Sequence, residues 1–147
     1  MKKQTIYLLL FTLVTFTISC SNDDDTDVTP ENLNNVTDCE IAIEPNLLIS
    51  ICVDGADFAL PDEVIKFVST FYSKNDTPSN AQFLWTVESG SMEIIDVENT
   101  VDGLIAKSIA TIKFNSDYSG NGVISANAEN DRGSGYAQHS VELASTQ

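Results

Sequence analysis

Apolar and polar residues alternate along most of the chain from residue 36 onward, and no stretch of that part carries a helical period. Alternation with a period of two is typical of strands that bury one face, and Gly, Asn, Asp and Pro separate the alternating runs. The predicted strands are 39–43, 47–53, 63–72, 81–88, 92–97, 104–114, 122–130 and 135–143. The first two form a short leading hairpin, and the spacing of the others predicts a two-sheet sandwich.

The phase of the alternation predicts which side chains face the interior. In the strand at 81–88, Phe83, Trp85 and Val87 share one side, whereas Gln82 and Thr86 lie on the other. Trp85 is therefore predicted to be a central core residue rather than a platform for stacking sugars. The predicted core is Ile65, Phe67, Phe71, Phe83, Trp85, Val87, Ile112, Phe114, Ile124 and Ala126.

Several short motifs between residues 49 and 143 resemble those of PKD-like and immunoglobulin-like domains of bacterial surface proteins. They are Leu60–Glu63, Phe83–Gly90, Ala110–Phe114, Ser119–Ala126 and the turn Asn130–Gly133. PKD domains proper often carry an acidic Gly turn where this chain has Val87–Gly90, which brings it closer to the immunoglobulin-like variants. The resemblance implies an all-β, antiparallel sandwich of about seven strands over residues 36–147. Such domains are usually spacers or binding modules, although a fold by itself implies function only weakly. An enzyme is not expected, because no catalytic constellation of residues supports one.

The first 20 residues have the organisation of an export signal. Two lysines precede an apolar run of 13 residues at 6–18, which is shorter than the roughly 20 that span a membrane. The run ends at Thr17-Ile18-Ser19-Cys20, which resembles the lipobox of bacterial lipoproteins. The resemblance implies a signal peptide over residues 1–19 and a lipid on Cys20, which tethers the chain to a membrane. The alternative is an ordinary signal peptide with an incidental Cys.

Residues 20–35 are predicted to form an acidic, flexible linker, because they are polar and hold few apolar side chains. Ser21, Asp23, Asp24 and Asp25 follow the lipidation site closely. This run resembles the acidic export signal that directs some Gram-negative lipoproteins to the outer face of the outer membrane. The implied location is the outer membrane, with the domain facing the cell exterior. The alternative is that the carboxylates only solvate the linker and the domain faces the periplasm.

Charge and residue counts narrow the possible functions. The chain has 22 Asp and Glu against 7 Lys and Arg, so we expect no nucleic-acid partner. His139 is the only His and no motif frames a nucleophile, so we expect no catalytic site and predict a surface position for this residue. Acidic loops at residues 54–57, 96–98 and 115–117 leave calcium binding as an alternative to a solvated surface. No other cofactor is expected.

Cys39 and Cys52 are predicted to form a disulfide within the leading hairpin. A turn at Pro45-Asn46 pairs Glu44 with Leu47, and counting outward places Cys39 opposite Cys52. Such a non-hydrogen-bonded pair has a Cα separation of about 4.5 Å, which is inside the disulfide range. Export supplies an oxidising compartment. Free thiols are the alternative.

Two kinds of binding function remain open. Tyr72, Tyr118 and Tyr136 fall at strand ends or in loops, so they are a candidate ligand platform for sugars or proteins. The leading hypothesis is a surface-exposed, lipid-anchored binding or adhesion module, with glycan capture as one use. The alternative is a structural subunit that docks onto a larger cell-envelope complex. An exposed aromatic patch would favour glycan capture, and an exposed apolar strand edge would favour docking.

Overall fold

The computed structural model describes residues 39–145, which fold into eight strands and one short 3₁₀ helix, Pro78–Asn80. The strands are β1 Ile49–Asp54, β2 Phe58–Ala59, β3 Val64–Ser73, β4 Gln82–Ser89, β5 Met92–Asp102, β6 Ile105–Phe114, β7 Gly122–Asn130 and β8 Gly133–Leu143. No helix within residues 39–145 is long and apolar enough to cross a membrane. The predicted signal peptide, the lipidation site Cys20, its export signal and the linker lie outside the described residues.

The strands form two four-stranded sheets. Sheet A has the order β1-β3-β6-β5, and sheet B has the order β2-β8-β7-β4. Neighbouring strands are antiparallel, except that the two-residue strand β2 runs parallel to β8. An immunoglobulin-like sandwich has this arrangement, with β1, β3, β6 and β5 on one sheet and β4, β7 and β8 on the other. The predicted all-β, two-sheet sandwich is confirmed.

The inner faces of the two sheets form the core, and the side chains that the alternation predicted to point inward do so. Phe67, Ile112, Phe114 and Ile124 are completely buried. Trp85 is buried among them, and its Nε1 donates a hydrogen bond to the Ser108 hydroxyl at 2.9 Å. The polar edge of the indole is therefore satisfied inside the core. The prediction that Trp85 is a core residue is confirmed, while Phe83 and Val87 are half-buried at the margin.

The predicted leading hairpin is wrong. Residues 39–43 form no strand, and the strand that follows begins at Ile49 and pairs with β3. The turn at Pro45-Asn46 is present, with the Leu47 amide donating to the Glu44 carbonyl at 3.0 Å. An isolated two-stranded hairpin is marginally stable, and β3 offers β1 a long apolar partner instead. We call residues 39–48 the strap.

The strap lies against the outer face of sheet A. The Thr70 hydroxyl on β3 donates to the Cys39 carbonyl at 3.3 Å, and the Lys74 amide donates to the Leu48 carbonyl at 2.8 Å. Side chains of the outer phase of β3 are consequently buried, among them Val68 and Tyr72. The expectation of one buried and one exposed face therefore fails for β3 from Phe67 to Ser73, where both faces are buried, whereas Val64 and Lys66 at its start are exposed.

Candidate functional site

Strand β5 is the edge of sheet A, and its second half is bare. It has 11 residues and hydrogen-bonds to β6 on one side. Every residue from Ile95 to Leu104 is exposed. An edge strand presents unpaired backbone N–H and C=O groups, which proteins commonly protect with Pro, Lys, a bulge or short strand length. β5 has no Pro or Lys, and its one bulge, between Ile94 and Asp96, leaves the register regular from Asp96 to Asp102.

The side of β5 that continues the sandwich interior carries Val97, Asn99 and Val101 in its second half, so two of these three side chains are apolar. Val97 pairs with Ala110 and Val101 pairs with Ala106, and both alanines are buried. The two valines nevertheless remain 41% and 51% exposed. The interior of the sandwich is therefore open along this edge.

A shallow groove continues this apolar side toward the 3₁₀ helix. It lies between the second half of β5 and the segment that leads into β4. Its lining residues are Pro78, Ser79, Ala81, Phe83, Asn99, Thr100, Val101 and Ala106. The groove gives an added strand a place for one apolar side chain beside Val101.

The opposite face of β5 is acidic. Asp96, Glu98 and Asp102 lie there, opposite the outward residues of β6. The acidic loop expected at residues 96–98 is wrong, because the strand predicted at 92–97 continues to Asp102 and includes both Asp96 and Glu98. Lys107 of β6 shares this face opposite Thr100 and offsets part of the charge, which stays negative in sum. Earlier in the strand, Glu93 has its own ion pair, 3.0 Å from Lys113 Nζ.

The three tyrosines predicted to form a ligand platform do not share a surface, so that prediction is wrong. Tyr118 lies in the core, where its ring meets Phe114 edge-on with centroids 4.7 Å apart. Its hydroxyl donates to the Val141 carbonyl at 2.6 Å, and burial raises the pKa of Tyr118. Tyr72 is buried on the outer face of sheet A, and Tyr136 is exposed on the outer face of sheet B.

The exposed aromatic residues of the described chain do not form a patch either. Among residues 39–145 the large exposed aromatics are Tyr136 on β8 and Phe58 on β2. Phe58 pairs with Glu142, six residues along β8 from Tyr136, which corresponds to roughly 20 Å of strand. The observation that would favour glycan capture is therefore missing from this part of the chain, whereas the apolar strand edge is present.

Cys39 and Cys52 are free thiols in the structure, and both lie beside Thr70. Cys52 Sγ is 3.0 Å from the Thr70 hydroxyl, and Cys39 offers its carbonyl to the same hydroxyl at 3.3 Å. The Cys39 thiol points toward the Val68 carbonyl at 4.0 Å. Burial raises the pKa of Cys52. The predicted pairing of Cys39 with Cys52 across a hairpin is therefore wrong, since Cys52 pairs with Thr70 on β3, and the disulfide stays a prediction.

His139 faces inward, so its predicted surface position is wrong. Its side chain is largely buried, and its ring lies 5.7 Å from the ring of Phe67. Nε2 is 3.2 Å from the Ala56 carbonyl and 3.4 Å from an Asp57 oxygen. The alternation of β8 explains the position, since His139 shares its phase with the buried Val141.

The acidic loops do not converge on a metal-binding geometry. Asp54 accepts a hydrogen bond from the Gly55 amide at 2.8 Å, and Asp117 accepts one from Ser91. Within the described residues, no three His, Cys, Asp or Glu side chains come together as metal ligands would. Of the acidic segments considered for calcium, 54–57 thus has a hydrogen bond within itself and 115–117 has one to Ser91.

Comparisons with known proteins add little to this description. No protein-family model matches the chain, and no curated protein matches it. Among solved structures it is similar to the M1 domain from titin, with 13% identity and a TM-score of 0.39 over 61% of this chain and 88% of that one. The immunoglobulin-like description therefore rests on the strand order of the two sheets.

Proposed function

We propose that this chain is an exported, lipid-anchored binding module that docks a protein partner of the cell envelope along the edge of β5. The observation that carries the proposal is the bare second half of β5, with Val97 and Val101 exposed on the open interior side. Edge strands with free backbone groups are recognised by strand addition. Docking is favoured over glycan capture because the tyrosine platform does not form.

The anchor and the address come from the N-terminal sequence. The lipobox-like end of the apolar run supports lipidation of Cys20, and Ser21 with Asp23–Asp25 supports transport to the outer face of the outer membrane. A fully extended linker over residues 21–35 would reach roughly 50 Å from the lipid. The PKD-like motifs agree with such a surface module, which would hold its binding edge away from the membrane.

The address is tested by changing Asp23, Asp24 and Asp25 together to Ala and adding protease to intact cells. We expect the parent protein to be digested and the variant to be protected. Equal digestion of both would exclude the acidic run as an export signal. Protection of both, beside a digested surface control, would place the domain in the periplasm.

A disulfide between Cys39 and Cys52 is part of the same proposal. Its support is the position of both residues at Thr70, on the same outer face of sheet A. Both thiols lose their protons, and two electrons pass to the disulfide of an envelope thiol oxidase, which becomes a dithiol. Thiol titration of the denatured, unreduced Cys20→Ser variant should find no free thiol, and two free thiols would contradict the proposal.

Docking is tested by site-specific photo-crosslinking in membranes of the producing cell. A photoreactive side chain at Thr100 on β5 should give a discrete protein adduct. Val97→Lys together with Val101→Lys should abolish it, because two charges would enter the apolar contact. The matched control is Leu84→Lys on exposed β4, which should leave the adduct unchanged. An equally strong adduct from a photoreactive group at Leu84 would contradict docking at β5.

A further inference from the structure

We propose that the segment docked on β5 is a basic strand, in which apolar residues alternate with Lys or Arg. This inference rests on the proposed function, since it requires β5 to be the docking edge. It names the chemistry of the partner from the two faces that β5 presents. Such a strand would continue sheet A beyond its present edge.

The apolar half of the pattern follows from the interior side of β5. A strand paired with β5 places every second side chain on the same side as Val97 and Val101. Those side chains would close the open interior and reach the groove beside Ala81 and Phe83. Apolar residues beside Val97 and Val101 would remove the exposed valine surface from water, and the position between them would face Asn99.

The basic half follows from the outer side. The intervening side chains of the added strand lie beside Asp96, Glu98 and Asp102. Opposite charges across paired strands are stabilising, and like charges directly opposite each other are destabilising. Lys or Arg at these positions therefore complements the face, and Asp or Glu would be rejected.

A second copy of this chain is a poor occupant for the same reason. An antiparallel pair of β5 strands centred on Glu98 would place that carboxylate opposite its own copy. A register centred on Asn99 would place Asp96 opposite Asp102. A register centred on Thr100 would place Glu98 opposite Asp102. Each central register thus brings carboxylates together on a chain whose net charge is already −15.

The chain's own N-terminal linker is also disfavoured by its composition. Residues 21–35 include Asp23, Asp24, Asp25, Asp27 and Glu31 but no Lys or Arg. Their only apolar side chains besides Pro30 are Val28 and Leu33, which do not alternate along a strand. The charge pattern therefore favours a separate, basic partner segment over both segments of this chain.

The test uses the full chain, purified in detergent, and fluorescent nine-residue peptides. In the first peptide Val alternates with Lys, in the second Val alternates with Glu, and the third has the composition of the first in a blocked order. We expect the Val–Lys peptide to bind at least tenfold more tightly than either control. Its affinity should fall with added salt, because the charges are exposed.

The position of binding is tested with two triple variants that remove the same charge. Asp96→Asn, Glu98→Gln and Asp102→Asn should weaken binding of the Val–Lys peptide at least tenfold. The matched control, Glu129→Gln, Asp131→Asn and Glu142→Gln, removes three exposed carboxylates elsewhere and should change binding less than twofold. All six positions are exposed, so both proteins should fold, which circular dichroism checks.

Equal weakening by the two triple variants would overturn the proposal, because attraction would then be a property of the whole acidic surface. Equal binding of the alternating and blocked peptides would overturn it as well, and so would self-association through β5 in sedimentation. An intact adduct at Thr100 in membranes, together with either of the two peptide-binding results, would leave docking at β5 standing and remove only the basic partner. If the photoreactive group at Thr100 gives no adduct in the otherwise unchanged protein, the proposed function itself is contradicted.

Discussion

Sheet A ends on two strands that differ in how they are protected. On the β1 side the strap covers the outer face, and all six residues of β1 are half-buried. On the β5 side ten consecutive residues are exposed from Ile95 to Leu104. Sheet A thus has a closed side and an open side. Two valines illustrate the difference: Val68 on β3, beside β1, is completely buried, whereas Val101 on β5 is half exposed.

Sheet B explains why the β1 side is closed. Its strand β8 approaches β1 so closely that a Cβ on Gly135 would lie 2.8 Å from Cγ2 of Ile51. Glycine at this position leaves room for the Ile51 side chain against the backbone of β8. At the opposite edge of sheet A, β5 is exposed from Ile95 onward. The open side is therefore where a partner can add surface without displacing anything already packed.

The largest expected effect concerns the interior that both sides share. Trp85→Ala should lower the free energy of unfolding by about 3–5 kcal/mol, because it leaves a cavity and removes the hydrogen bond that the indole donates to the Ser108 hydroxyl. A denaturant melt measures it, with Leu84→Ala on the exposed neighbouring position as the control. A change under about 1 kcal/mol would remove Trp85 from the core.

The next effect is the contribution of the proposed Cys39–Cys52 disulfide, which would tie the strap to β1 on the closed side. If the disulfide forms, closing a loop of about 14 residues should contribute ~3 kcal/mol through the unfolded chain. Melts with and without reductant should differ by that amount, and the double variant Cys39→Ser and Cys52→Ser should show no response to reductant. If reductant does not change the stability of the parent protein, the strap is not held by a disulfide.

A matched pair of valines compares the two sides directly. Val68→Ala beneath the strap should cost about 2 kcal/mol, since it removes completely buried methyl groups. Val101→Ala on β5 should cost less than about 0.5 kcal/mol, as at other exposed positions. Melts of both proteins under one condition provide the comparison. Equal costs would show that β5 is covered in solution, which would contradict an open edge.

The closed and open sides also differ in how well the sequence predicts them. In β6 every second residue is buried, so the period of two predicts the strand and its inward phase correctly. In β5 the predicted strand ends at Val97 because Asn99 stands where continued alternation would place an apolar residue. The backbone nevertheless stays paired with β6 to Asp102, which the alternation alone does not indicate.

Tertiary contacts account for the other differences. A hairpin argument from Pro45-Asn46 finds the turn but cannot show that the arm before it stacks on β3 instead of pairing with β1. A signal for the strap exists in the adjacent apolar pairs Phe67-Val68 and Phe71-Tyr72, which indicate a strand buried on both faces. Tyr118 falls in a loop by its sequence, yet its ring enters the core because Val141 offers a buried carbonyl.

The smallest expected effect appears at alkaline pH and should leave the open side untouched. Burial raises the pKa of Tyr118 in the core, so the folded chain keeps this proton at a pH where the unfolded chain has lost it. Its contribution to stability is therefore complete below the ordinary tyrosine pKa of about 10 and is lost as the pH rises through the folded value. Denaturant melts at pH values on both sides of that range should show stability falling in the parent and in Val101→Ala alike. Tyr118→Phe loses the hydrogen bond to Val141 and should be less stable throughout, but its stability should fall less steeply. A decline as steep in Tyr118→Phe as in the parent would assign the alkaline loss to other groups.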